Sequence, residues 1–300
     1  MAAGDPGERR PFALFVSLVN PHDITFFPTG WDVGGYRLED FEGLGVELPP
    51  NADDPLDTKP SVQRAYLDAL AAKDPLSDDP SAGPTRSQYV NFYAHAHQVV
   101  DQHVQAILDA VEQHGLAEDT LIVRTADHGE GGLSHGLREK SYSAYEEMIH
   151  VPLVIANPRL FPEPRRTDAL YSHVDLLPTL AELAGAAPVG VGRSLVPVLL
   201  GRAQAVQQDV LFAYDDDFVL SADQTGGRIR ALRDARWTYA VYFDSTMSAF
   251  EYETIRQRER SLPKCREPRA RPDARCLPSE ASSTAACSRA SRRRARSRRA

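Results

Sequence analysis

The sequence predicts an α/β domain arranged as a three-layer sandwich, with a mainly parallel central sheet between helices and a small antiparallel sheet near the carboxyl end. Three observations carry this expectation. Apolar runs at 12–18, 120–126 and 151–156 stop at polar residues in the manner of buried strands. A long amphipathic stretch separates the first two runs, and beyond Gly201 the apolar segments shorten and follow one another without helices between them. The order strand, helix, strand, loop, strand, helix implies parallel pairing with helices on both faces.

Phe12 to Leu18 reads as a buried strand ending at Asn20-Pro21-His22-Asp23. From Ile24 to Pro84 the chain is rich in Gly, Pro and Asp, which predicts a long excursion with short elements, among them a helix near Val62 to Lys73. Long loops over an α/β sheet shape substrate pockets. Between Ser87 and His114, Tyr89, Phe92, Tyr93, His97, Val100, Val104, Ile107, Leu108 and Val111 recur at spacings of three and four, so a helix is expected that Gly115 closes and that packs on the sheet. Val174 to Ala184 is a second helix, ended by Gly185. The segments 210–214, 228–232 and 237–243 then read as strands, with Arg233-Asp234-Ala235-Arg236 as a hairpin connection. The expected divisions are a main α/β part at 1–205, the small sheet at 206–255 and a tail at 256–300.

Composition supports this picture. The chain has 300 residues, 42% of them hydrophobic and 8% aromatic, which is globular rather than disordered. No apolar run approaches the ~18 residues of a membrane helix. The start is charged and contains Gly and Pro, unlike a signal peptide, which leaves the compartment open with a lean to the cytoplasm. The net charge of −8 hides an asymmetry: 13 basic and 3 acidic residues from Arg260 to Ala300 give that stretch +10 and leave −18 on the rest. Cys265, Cys276 and Cys287 all lie in the same stretch, so the acidic body needs no disulfide.

The segment Thr125-Ala126-Asp127-His128-Gly129-Glu130 carries the strongest chemical signal. A buried strand that stops at Asp-His-Gly delivers an oxygen and a nitrogen ligand to its carboxyl end, where open α/β sheets bind ligands, and this mixed pair suits a divalent ion. The competing reading is an ordinary strand exit, since Asp and Gly are common in turns. His95, His97, His103 and His114 on the long helix, and His173, read as packing, surface or capping groups.

These residues also form a pattern. Pro11 to Asp23, Thr125 to Glu130, the run His135-Gly136-Leu137-Arg138-Glu139-Lys140 followed by Tyr142, Tyr145-Glu146-Glu147 and His150-Val151-Pro152-Leu153, and then Ser172 to Leu180 with Gly192-Arg193-Ser194-Leu195, resemble in order and spacing the type I sulfatase branch of the alkaline phosphatase superfamily. The resemblance extends to about Phe243. It implies an alkaline-phosphatase-like fold and hydrolysis of a small anionic sulfuric ester. It further implies His22 and Lys140 as catalytic, substrate-contacting groups, with Asp127 and His128 holding a divalent metal, Ca2+ by resemblance and Mn2+ or Zn2+ by the presence of a His ligand. His135 either lines the same pocket or simply sits in its loop. Without the resemblance, Lys140 would be read as a solvated loop lysine. The chemistry is coherent, because a metal, an ammonium and imidazole N–H donors all stabilise the negative charge that develops during ester cleavage.

Members of that branch begin with a strand bearing paired metal-binding aspartates and a Cys-x-Pro-Ser-Arg stretch whose Cys becomes the formylglycine nucleophile, both ahead of the Asn-Pro-His segment. Only ten residues precede Pro11, so the expectation is a chain truncated at its amino end, without that strand, half the metal shell or the nucleophile. Cys276-Leu277-Pro278-Ser279 is followed by Glu280 rather than Arg and lies in a biased tail, so it reads as coincidence. The basic tract from Arg292 to Arg299 could bind anionic surfaces nonspecifically, but no specific nucleic-acid site is expected. Its Arg, Ala, Pro and Ser bias fits an out-of-frame reading of a GC-rich gene, and the tail is expected to be disordered. Two alternatives stay open: a phosphodiesterase or phosphonate monoester hydrolase of the same superfamily, and a noncatalytic fragment that binds only metal or anion. Oligomeric state is not addressed by the sequence.

Overall fold

The computed structural model describes residues 11–187, 189–216 and 226–257. One compact unit spans Met1–Glu259; the tail from Arg260 and its three cysteines lie outside the described residues.

The run at 12–18 forms no strand, and Phe12, Leu14 and Phe15 are exposed. This corrects the expected first strand. A strand exists through its ladder, and no described residue supplies one here. The chain then enters a 3₁₀ turn, His22–Phe26, and a second one at Trp31–Gly34 before helix α1, Leu38–Phe41. Aromatic packing fixes this part of the excursion. Phe27 lies at centroid distances of 5.7 to 6.3 Å from Trp31, Phe41, Tyr89 and Phe92, and Ile24 and Leu133 close the cluster.

Helix α2, Ser61–Lys73, and helix α3, Arg86–Gln113, follow the spacing read from the sequence. A capping box starts α3: the Gln88 N–H donates to Thr85 Oγ1 at 3.1 Å, and the Thr85 N–H donates to Gln88 Oε1 at 2.9 Å. Only its first turns are buried, at Tyr89, Val90, Asn91, Phe92 and Ala96.

Strand β1, Ile122–Thr125, pairs with β2, Leu153–Ala156, and the register runs from Ile122 opposite Ala156 to Thr125 opposite Leu153. The pairing is antiparallel. The mainly parallel central sheet is therefore not found among the described residues: continuous apolar runs report burial but are silent on strand direction. Between these strands, residues 126–152 form a long loop with a 3₁₀ turn at Ser134–Gly136 and helix α4, Glu146–Ile149. Helix α5, Leu176–Leu183, follows a turn at His173–Asp175, and α6 spans Val196–Leu199. Asp175 is buried and accepts from the N–H groups of Ser172 and Arg193 and from Gln207 Nε2, at 2.7 to 2.8 Å.

Strands β3 Val210–Tyr214, β4 Arg228–Arg233, β5 Trp237–Phe243 and β6 Phe250–Arg256 make one antiparallel sheet in sequence order. Its inner face, with Ile229, Ala231, Ala240 and Tyr242, packs on Val62 of α2 and on Tyr142 and Ala144 of the long loop. Polar contacts add to this seam. Glu251 Oε2 accepts from the N–H and hydroxyl of Ser61 at 2.8 and 2.9 Å, placing a carboxylate at the amino end of α2. Among the described residues, no helix is long and apolar enough to cross a membrane.

Candidate functional site

The carboxyl end of β1 passes directly into Asp127 and His128. The His128 N–H donates to Asp127 Oδ1 at 3.0 Å, and the imidazole Nδ1 lies 2.8 Å from the carbonyl oxygen of Gly129. A ring that donates from Nδ1 to a carbonyl presents its Nε2 lone pair outward, the arrangement used by metal-binding histidines. That Nε2 is 3.4 Å from Asp127 Oδ2, and the two side chains are 40% and 87% exposed, so both atoms can face one ion. As a donor set the pair is half a shell: no group of three His, Cys, Asp or Glu placed to hold a metal occurs among the described residues. The residues present fit a divalent ion as two of its ligands.

Gly129 and Gly131 let this turn lie against the returning chain. A Cβ on Gly129 would stand 2.0 Å from the carbonyl oxygen of Glu147, and one on Gly131 would stand 2.6 Å from that of Leu137. The Gly129 and Glu130 N–H groups instead donate to Met148 and Glu147 carbonyls at 2.8 and 2.9 Å.

Glu130 turns inward. Its Oε1 accepts from the Tyr89 hydroxyl at 2.7 Å, the Glu139 N–H at 2.7 Å and the Gly132 N–H at 3.2 Å. Burial pushes this carboxyl above its ordinary range, against the pull of the three donors. Burial likewise pushes the Tyr89 phenol up, assisted by the Glu130 charge, so the hydroxyl stays a donor. Lys140 follows Glu139 immediately, with its Nζ 3.5 Å from Glu139 Oε2 and its side chain about one-third exposed. Asp127, His128 and Lys140 thus belong to one hydrogen-bonded frame. Residues 5–186 match the family model described as Sulfatase.

The chain belongs to the sulfatase family. Among curated sulfatases it is similar to the Delta 4,5-hexuronate-2-O-sulfatase of Bacteroides thetaiotaomicron, 31% identical over 202 residues, 65% of this chain and 41% of the relative. It is also similar to the choline-sulfatase of Rhizobium meliloti, 30% identical over 242 residues, 78% of this chain and 43% of the relative. The solved structure of a 2-O GAG sulfatase matches with a TM-score of 0.59 at 24% identity, covering 78% of this chain and 50% of that one, a likeness of fold. The chain spans less than half the length of these two curated sulfatases.

Within this sulfatase-family frame, two expected residues sit differently. His135 shares the loop with Lys140, but its Nδ1 is 2.5 Å from Asp54 Oδ2 and its ring stacks on Tyr145 at 4.1 Å with an interplanar angle of 11°. The Nδ1 edge is therefore engaged with protein. His22 is exposed and edge-on to Phe26. Its turn is clamped by Tyr36, whose hydroxyl accepts from Asn20 Nδ2 at 2.6 Å and donates to Asp23 Oδ2 at 2.5 Å. Packing ties this turn to the frame, since Phe27 contacts the Tyr89 ring.

Glu130, Tyr89, Tyr36 and Asp54 did not emerge from the sequence as site residues. Glu130 had a local signal, its place directly after Asp-His-Gly. Tyr89 had none, because a hydroxyl-bearing ring on an apolar stripe is indistinguishable from core. The histidines of α3 make local contacts, His95 with the Tyr36 ring and His97 with the Tyr93 carbonyl.

Proposed function

We propose that this chain carries part of the site of a sulfuric ester hydrolase, in which Lys140 and His22 contact the anionic ester group and Asp127 and His128 contribute two ligands to a divalent metal shell. The observation that carries the reading is the single frame in which an outward-facing Nε2 and Oδ2 pair is bonded, through Glu130 and Glu139, to the segment bearing Lys140. Lys140 brings a cation to nonbridging oxygens, where negative charge grows as the ester bond breaks. His22, on its clamped turn, is a donor for the ester or its leaving oxygen. His135 is assigned to loop support, with any substrate contact left to its Nε2.

The metal, Ca2+ by family resemblance with Mn2+ or Zn2+ compatible with the His ligand, would supply Lewis-acid stabilisation of the sulfuryl oxygens. The curated relatives named above act, by their names, on a sulfated hexuronate and on a choline ester, which supports a small polar sulfuric ester as the substrate class. The 300 residues contain no Cys-x-Pro-Ser-Arg stretch, so the covalent part of the reaction is not assigned to any residue of this chain.

The test is kinetic, in a polypeptide that joins these residues to such a stretch. Lys140→Ala and His22→Ala should each lower kcat/KM for an aryl sulfate by on the order of 10²-fold. Unchanged values in both variants, or a preference for aryl phosphonates over sulfates, would remove the assignment.

A further inference from the structure

Glu130, the acid directly after Asp-His-Gly, is given no contact with substrate or metal in the reading above. Its carboxylate is nevertheless heavily bonded. One oxygen, Glu130 Oε1, receives a phenol and two backbone N–H groups, from Tyr89, Gly132 and Glu139. The Glu139 donor is the informative one. Glu139 adopts φ +66°, a left-handed conformation that is unfavourable for a side chain with a Cβ. Its N–H is held by the Glu130 carboxylate, and its carbonyl accepts from the Gly131 N–H at 2.7 Å. The peptide groups on both sides of the strained residue are therefore pinned by the same short segment.

The next residue along is Lys140. On the other side, Arg138 is buried, donates to the Asp74 carbonyl at 2.8 Å and covers the Tyr89 ring at 5.7 Å. Tyr89 thus braces both the carboxylate and the residue before the turn, from a rigid helix.

We infer that Glu130 is a positioning residue for Lys140, its half-buried carboxylate fixing the left-handed turn at Glu139 from which the lysine projects. The inference rests on the proposed anion-binding role of Lys140 for its functional meaning, but its geometry is independent of that role. An amide at position 130 keeps an acceptor oxygen in the same place, so Glu130→Gln should preserve the turn and Glu130→Ala should release it.

Lysine acetylation of chain 1–300 by a water-soluble acylating reagent, quantified peptide by peptide with and without inorganic sulfate, reads both levels. Lys59 and Lys73 serve as internal references. Glu130→Ala should raise the Lys140 rate toward that of the exposed Lys73, on the order of tenfold, abolish protection by sulfate and leave Lys59 and Lys73 unchanged. Glu130→Gln should stay within about twofold of the parent in rate and protection. An unchanged Lys140 rate in folded Glu130→Ala overturns the inference, and if sulfate still protects, the anion reading survives it. A raised rate with no sulfate protection in the parent keeps the positioning role and sinks the anion reading. Should Glu130→Ala fail to fold, Tyr89→Phe decides: it deletes one hydroxyl and no backbone contact, and the inference requires a rise of a few-fold at Lys140.

Discussion

Replacing Glu253 by Ala tests how the four-stranded sheet is attached to the rest of the molecule. Glu253 is on β6, its side chain is only 4% exposed, and it sits among Lys59, Gln63, Tyr145 and Tyr242. Lys59 Nζ lies 3.2 Å from Oε1, the Tyr145 hydroxyl donates to Oε1 at 2.8 Å, and Tyr242 and Gln63 Nε2 donate to Oε2 at 2.9 and 3.0 Å. Not all of these groups are stranded by the substitution. Tyr145 keeps Gln63 Oε1 as an acceptor at 2.9 Å, and Gln63 Nε2 keeps the Tyr242 oxygen at 3.2 Å. Lys59 is partly exposed and can turn to water. What remains is one buried phenol without an acceptor, the loss of charge-assisted bonds and the space left by the Cγ methylene and the carboxylate, together about 3 to 4 kcal/mol. Urea unfolding followed by circular dichroism should show that loss, and Glu253→Gln, which keeps one acceptor oxygen, should lose about half as much. A loss below about 1 kcal/mol for Glu253→Ala would mean that this seam is held by its apolar side alone.

Three further outcomes follow from the geometry. Gly129→Ala places a Cβ 2.0 Å from a backbone oxygen, so it should displace the Asp-His turn and reduce soluble folded protein, as read by gel filtration; an unchanged, fully folded variant would refute the close approach. Burial opposes ionisation of Asp54, but the Leu56 N–H and His135 outweigh it and hold the carboxyl below its ordinary range. Such a group stabilises the fold above its unfolded pKa of about 3.9 and loses that contribution as pH falls through the lower folded value, so Asp54→Asn should cost stability at pH 6 and progressively less as the pH is lowered below about 3.9; a cost that does not shrink with falling pH would refute it. Because Asp127 and His128 supply only two of the roughly four to seven ligands such ions take, calorimetry should find divalent binding weaker than micromolar and abolished by Asp127→Ala; a tight site surviving that substitution would sink the metal assignment.

Much of the secondary structure was legible because helical spacing is a strong local signal. The stripe from Tyr89 to Val111 defined α3 to within a residue or two, and Thr125-Ala126-Asp127-His128 marked the end of β1. Sheet direction was not legible, since a four-residue apolar run is the same on either kind of ladder. Phe12 to Leu18 misled for a related reason: an apolar run reports a capacity for burial, and burial depends on partners elsewhere. The site divided in the same way. Asp127 and His128 are adjacent in sequence and could be paired by reading, whereas the bonds from Glu130 to Tyr89 and Glu139 span 41 and 9 residues and follow no period.

The last strand shows how function and frame can be separated from pattern. Alternation in Phe-Glu-Tyr-Glu-Thr-Ile-Arg points glutamates inward, the reverse of the usual apolar-in order, so β6 carries no hydrophobic signature. Its inward residues nevertheless find specific partners: Ser61 for Glu251 and four side chains for Glu253. The order continues past the strand, where the Gln257 N–H donates to the Arg236 carbonyl at 2.7 Å and its amide donates to Thr238 Oγ1 at 2.5 Å. A sequence read out of frame has no reason to place acids opposite a lysine, two phenols and a helix terminus over seven consecutive residues. Partnered, fold-specific sequence therefore runs through Gln257.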